Sequence, residues 1–279
     1  MSRALWCQTL RDSLFLLLGC CSLLFGFIWL RLWIVSQIDF AEAANLFTKM
    51  LPKFFQRLLP VPIDMIATIE GRVVVGYEEL PVGLLMALWT VTRGTECLAG
   101  RLGDGTLEMM LAQPVRRLAL VTSHSGVTLL GVAAVALAAW LGTAIGIFTV
   151  GFDEETSITT YLPATFNLFS VGVFMAGSAT LASAIAPSRA QAVAIFVGFY
   201  VLEITFKILG LMSSDLAWLK KWTFLSAYEP TQLTIGLKSS PELYWPLFWQ
   251  TNGLLIGLGL GALAAAATIF CRRDVPAPL

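Results

Sequence analysis

Apolar residues fall in long blocks along this chain, separated by shorter polar segments. No charged residue occurs from Ser13 to Leu30, and a helix needs a run of about 20 mainly apolar residues to cross the hydrocarbon core of a bilayer. The pattern predicts a first span over about 13–35, closed by the interface anchors Trp29, Arg31 and Trp33. Further spans are predicted over about 80–98, 121–149, 162–185, 190–212 and 246–270. In the second, the apolar stretch Val82 to Val91 is short, so the span has to carry Arg93 and Glu96. Charges in that position must face protein or water rather than lipid.

The polar segments have patterns of their own. In residues 1–12 and just beyond, Trp6, Leu10 and Leu14 recur at helical spacing while Arg3, Gln8, Arg11 and Asp12 point elsewhere. That predicts a helix lying in the membrane interface. In the connection 36–78, Phe40, Phe47, Met50, Leu51, Phe54 and Leu58 have helical spacing with a kink at Pro52, so surface helices are expected there. Residues 151–160 form an acidic loop with Asp153, Glu154 and Glu155. In the connection 213–245, Trp218, Trp222 and Leu225 suit an interfacial or re-entrant helix.

The expected fold is an all-α polytopic membrane protein: six transmembrane helices in a single domain over 1–279, an N-terminal interfacial helix, and both termini on one side. The basic residues of the two sides nearly balance, and the short segments decide the orientation. The turn at Arg189 and the Arg272-Arg273 tail are basic, while the 151–160 loop carries only acids. The positive-inside rule then puts the termini in the cytoplasm.

Composition narrows the function. Hydrophobic residues make up 57% of the 279 residues and charged residues 13%, about half the ~25% of soluble domains. Mean hydropathy is +0.78. Lys+Arg and Asp+Glu are equal at 18 each, which argues against a nucleic-acid binder resting on basicity. The five cysteines, Cys7, Cys20, Cys21, Cys97 and Cys271, show neither disulfide-framework nor metal-ligand spacing. Leu17-Leu18-Gly19-Cys20 resembles a lipoprotein cleavage site, but apolar sequence continues to Leu30, so a retained span is expected. No lysine follows a glycine, so the G-x-x-x-x-G-K-[ST] phosphate loop is missing. His124 is the single histidine and is expected to be packed, and no G-x-S-x-G elbow occurs. No catalytic residue, metal site or bound cofactor is expected on the chain itself.

Some residues invite two readings. Glu203 and Lys207 lie one turn apart in the fifth span, where they can pair. A structural ion pair is favoured over a polar pathway or ion-coupling pair. Arg93 and Glu96 pose the same choice at the end of the second span. Gly142 and Gly146, and Gly253, Gly257 and Gly261, recur every fourth residue, as in close helix packing within or between subunits.

The segment from Gly100 to Arg117 carries most information. Thr106 can cap a short helix running to Gln113, with Glu108 near its positive N-terminus, Leu107, Met110 and Leu111 on one apolar face, and Pro114 as its stop. A short stiff helix at a loop tip is a docking element or a plain structured loop. The run Gly105-Thr106-Leu107-Glu108-Met109-Met110-Leu111-Ala112-Gln113-Pro114-Val115-Arg116-Arg117 resembles the signature of ABC-2-type permeases, the membrane subunits of ATP-binding-cassette exporters of type V fold. The likeness runs from about Thr95 to Arg117, with Arg101 and Gly103 standing where the family often has acids.

The resemblance implies a permease that forms the translocation pathway as a homo- or heterodimer and is driven by two copies of a separate P-loop ATPase subunit. ATP and magnesium would be bound by that partner. The coupling helix between spans two and three would be cytoplasmic, with Gly105, Thr106, Leu107, Glu108, Pro114, Arg116 and Arg117 as its ATPase-coupling residues. Arg116 and Arg117 would hold lipid phosphates or an acidic partner groove. Export is the expected direction, a bacterial inner (cell) membrane the expected location, membrane lipid the surrounding partner, and nucleic acid none. Two rivals are an ion-coupled secondary transporter using Glu203 and Lys207, and a non-catalytic membrane scaffold in an envelope or metalloenzyme maturation complex.

Overall fold

The computed structural model describes residues 3–37, 68–106, 109, 116–151 and 157–272. Every regular element among them is helical, and six helices are long and apolar enough to cross a membrane. The protein is an all-α polytopic membrane protein.

Helix α1 spans Arg3–Ser36 without interruption. The expected boundary between a surface helix over 1–12 and a span from 13 therefore does not appear as a break. Leu10-Arg11-Asp12-Ser13-Leu14 holds neither glycine nor proline, so nothing in the backbone ends the helix there. After residues 38–67, where the surface helices of the 36–78 connection were expected and which lie outside the described residues, α2 runs over Ile69–Val74. Thr68 caps it, its hydroxyl accepting from Gly71 N at 3.1 Å. A 3-10 turn, Val75–Glu78, leads into α3, Leu80–Thr95, which opens with Pro81 in its first turn. A π-helical turn, Glu96–Gly100, and a last turn, Arg101–Gly103, extend it.

Helix α4 covers Arg117–Val150 and ends on Gly151, whose φ of +61° supplies the left-handed cap. The acidic loop beyond it lies largely outside the described residues. Helix α5 covers Leu162–Ile185, the bounds read from the sequence, and α6 covers Arg189–Met212, capped by Ser188. The connection 213–245 is not one re-entrant helix. It consists of 3-10 stretches at Ser214–Trp222 and Phe224–Ser226, then α7 at Pro230–Ser239. Trp218 and Trp222 are exposed. Helix α8, Pro241–Arg272, begins five residues before the expected span and carries Pro246 inside its first turns.

Helix α5 is the axis of the bundle, with 78% of its most apolar window buried, against 17% for α6 and 22% for α1. Its largest interface is with α8, and α1 lies chiefly along α4. Small residues make both approaches possible. A Cβ on Gly142 would lie 2.9 Å from Phe25 O, and one on Gly259 would lie 2.6 Å from Val173 O. Gly146, one turn on, makes room for the Leu32 side chain, which a Cβ would approach to 2.5 Å. Among the described residues, a Cβ on Gly253, Gly257 or Gly261 meets nothing within 4 Å, so none of the three makes a close crossing there. The close crossing of α8 belongs to Gly259, which lies off that four-residue repeat.

The six helices put one set of ends together: the start of α1, the end of α3, the start of α4, the turn between α5 and α6, and the end of α8. Residues 68–80, 157–162 and 213–245 gather at the other end. The described flanks of the candidate coupling segment, residues 100–106 and 116–117, are at the first of these ends.

Candidate functional site

Span two does not stop at Thr95. Its last turns widen into the π-helical turn, which breaks the regular i to i−4 bonding and leaves amide N–H groups to be satisfied from outside. Ser183 on α5 meets that need. Its hydroxyl oxygen accepts from Leu98 N at 3.1 Å and from Ala99 N at 2.8 Å, and it donates to Thr95 O at 2.9 Å. One turn earlier Gly94 lies against α5, where a Cβ would sit 2.6 Å from Ala179 Cβ. The base of the elbow is thus fixed to the central helix.

Beyond Gly103 the chain turns sharply at Asp104 and Gly105. Gly105 has φ +68°, a left-handed conformation that favours glycine. Thr106 donates its hydroxyl to Arg101 O at 3.3 Å, so its side chain folds back onto the preceding turn. Met109 is 66% exposed. Leu107, Glu108 and Pro114 lie outside the described residues. Arg116 is exposed at the start of α4 with extended backbone. Arg117 turns toward the bundle: its guanidinium sits 5.8 Å over the Phe270 ring and donates to Phe270 O over 3.4 Å. The elbow's return leg is thereby tied to the end of α8.

Arg93 and Glu96 form an ion pair, with Nη1 to Oε2 at 2.8 Å. Arg93 is 2% exposed and also donates to Thr9 O over 3.4 Å, which links α3 to α1. Glu96 keeps a partly open side chain beside the elbow. His124 on α4 is fully packed in this neighbourhood, close enough to Arg93 and Arg101 to feel their charges.

Glu203 and Lys207 do not pair with each other. Glu203 Oε2 accepts from Phe224 N at 2.9 Å, and Lys207 Nζ donates to Leu225 O at 2.7 Å. The two charges hold the 3-10 stretch 224–226, because its backbone groups lack helical partners while both side chains reach them.

Sequence reasoning did not find the polar cap at this second end. Tyr228 donates to Tyr77 O at 2.5 Å, and Tyr77 hydroxyl lies 3.0 Å from Thr143 and 3.2 Å from Thr165. Glu78 accepts from Thr231 N at 3.1 Å. Arg31 meets Glu79 at 2.5 Å and donates to Arg72 O at 2.7 Å, while Lys238 pairs with Glu70. Asn167 on α5 donates to both Asn252 Oδ1 and Ala227 O. These contacts join six segments far apart in sequence, so no local motif announces them. Burial, with the charge of Glu78 beside it, pushes the Tyr228 phenol well above its ordinary pKa, and it stays a donor.

Comparison with known proteins adds a family to this geometry. A family model described as "Multidrug efflux system permease Rv1217c, C-terminal domain" matches residues 80–237. The match takes in the elbow and spans two to five, and of the polar cap Thr143, Thr165, Asn167, Tyr228 and Thr231. No curated protein matches the chain. With six membrane-length helices and a match over more than half its residues, the chain belongs to the family of the multidrug efflux system permease Rv1217c, C-terminal domain, and is a membrane transport permease.

Proposed function

We propose that the chain is the membrane subunit of an ATP-binding-cassette exporter of the ABC-2 type, working as a dimer with two copies of a separate ATPase. The observation that carries this reading is the anchoring of the Gly105–Arg117 elbow. Ser183 fixes its outgoing leg to α5, and Arg117 fixes its return leg to α8. A push at the elbow would therefore reach the two helices that cross at Gly259. The termini and the elbow lie on the cytoplasmic side in this reading, and the polar cap faces outward. The cargo class follows the family's printed description, multidrug efflux: more than one drug, moved outward.

The sequence carries no phosphate loop, so in this reading the ATP is bound and hydrolysed by a partner. The test is purification of the intact chain from its native membrane. A stoichiometric P-loop ATPase whose hydrolysis is stimulated by the permease is the expected result. Proton-driven transport by the purified chain alone, or a stable assembly with no turnover, would replace this reading with the secondary transporter or the scaffold.

A further inference from the structure

Helices α4, α5, α7 and α8 line an open-sided cavity of about 590 Å³. It runs from the middle of α4, at Ala133, Ala136 and Leu137, to the first turns of α5 and α8. It therefore occupies the half of the bundle away from the elbow. Leu137, Leu162, Trp245 and Trp249 on its lining are themselves exposed, so it opens sideways, on the lipid-facing surface.

The lining has no charged residue. Its two hydroxyls already have partners: Thr159 lies 2.7 Å from Ser157 Oγ, and Thr165 donates to Tyr161 O at 3.1 Å and meets Tyr77 hydroxyl at 3.2 Å. What remains to recognise a ligand is aromatic surface. Phe166 sits 5.5 Å from Phe248 and 6.1 Å from Trp249, measured between ring centroids. Trp245 meets Phe248 edge-on at 5.6 Å and stacks near-parallel to Trp249 at 6.4 Å. Such clusters hold another ring by offset-stacked or edge contacts worth about 0.5–1.5 kcal/mol each beyond area burial.

Charge decides between the candidate occupants. A phospholipid seated here would need a cation near the mouth for its phosphate. Lys238, adjacent to the lining residue Leu237, is held by Glu70, and the exposed Glu242 lies one turn before Trp245. Both features disfavour an anionic headgroup. The volume falls within the ~300–1,000 Å³ of small-molecule pockets.

We infer that this cavity binds an uncharged, ring-bearing lipophilic molecule drawn from the bilayer leaflet opposite the elbow. As a substrate-access site it rests on the export reading above, whereas binding as such does not.

The test uses the full chain in nanodiscs of phosphatidylcholine, photolabelled with an uncharged diazirine-bearing naphthalene and mapped by mass spectrometry. Adducts on the Phe166, Trp245 and Trp249 segments, competed by unlabelled naphthalene but not by a quaternary-ammonium analogue, are expected. Ala133→Trp, which fills the cavity from its open side, should cut this labelling by about tenfold, the equivalent of about 1.4 kcal/mol. Leu202→Trp on lipid-facing α6 should leave it unchanged.

Labelling that is not saturable, or is equal in Ala133→Trp and the unaltered chain, overturns the site. So does preferential capture of a diazirine-tailed phosphatidylcholine that naphthalene cannot displace, or a crosslink seating a second copy of the chain in the cavity. Saturable labelling without any ATP-driven transport would leave the site standing and remove the export reading. Transport without labelling would do the reverse.

Discussion

Glu203 and Lys207 sit one helical turn apart on α6, and each binds the backbone of residues 224–225 instead of the other. The carboxylate takes an amide and the ammonium takes the neighbouring carbonyl, so two charges within a predicted span clamp the 213–245 connection to α6. A direct ion pair and this double clamp differ in what they hold. Removing either charge from the clamp frees the 3-10 stretch, so Glu203→Gln and Lys207→Met should each speed amide hydrogen exchange over residues 224–226. Unchanged exchange there in both variants would restore the direct pair.

Gly259 and Gly257 should respond in opposite ways to the same small change. A Cβ at Gly259 would press on the backbone of α5, whereas one at Gly257 meets open space. Gly259→Ala should lower stability by about 1–3 kcal/mol, the usual cost of overpacking. Gly257→Ala should leave the isolated chain unchanged or slightly more stable. Denaturation of both variants in one detergent decides.

Ser183→Ala should loosen the elbow without touching it. The change leaves Leu98 N and Ala99 N buried without their acceptor, at a cost of about 1–3 kcal/mol. Amide hydrogen exchange over residues 96–103 should speed up, while exchange at the polar cap stays as it was. Unchanged protection over 96–103 would show that the π-helical turn does not depend on Ser183.

Tyr228 gives a pH dependence of known sign. Its phenol is raised above the ordinary value by burial, so its contribution to stability is fully present below the unfolded value near ~10. That contribution is lost as pH rises from there through the higher folded value. The cap should be insensitive at neutral pH and weaken only in strong alkali, and Tyr228→Phe should blunt that alkaline loss. Unfolding followed between pH 7 and 12 tests it.

Much of this architecture was legible in the sequence, because a span is a property of a continuous apolar run. The bounds 162–185 of α5 needed nothing more. Pairings across helices left no such trace. Ser183 reads as one more small residue in an apolar stretch, and Gly259 is hidden between the glycines of a four-residue repeat that faces outward. Glu203 and Lys207 were found by spacing, but spacing names only the nearest partner, and the 3-10 backbone at Phe224 and Leu225 competes better. The elbow was recognised from its residues. Where its base is fastened was decided by Ser183 and Phe270, far away in the chain.

Leu107 and Glu108 should matter to the ATPase and not to folding. In the proposed complex, Leu107→Ala with Glu108→Ala should insert and assemble normally while ATP hydrolysis no longer drives movement of cargo. Hydrolysis and transport measured in the same vesicles separate these effects, and tightly coupled turnover in the double variant would remove the elbow from the mechanism.

The central claim is that the bundle moves cargo only when a separate ATPase drives it. The direct measurement is transport of an uncharged fluorescent lipophile in proteoliposomes holding the purified chain with and without its co-purified ATPase. The account predicts ATP-dependent movement with both subunits and none with the chain alone. Accumulation driven by a proton gradient through the chain alone would contradict it.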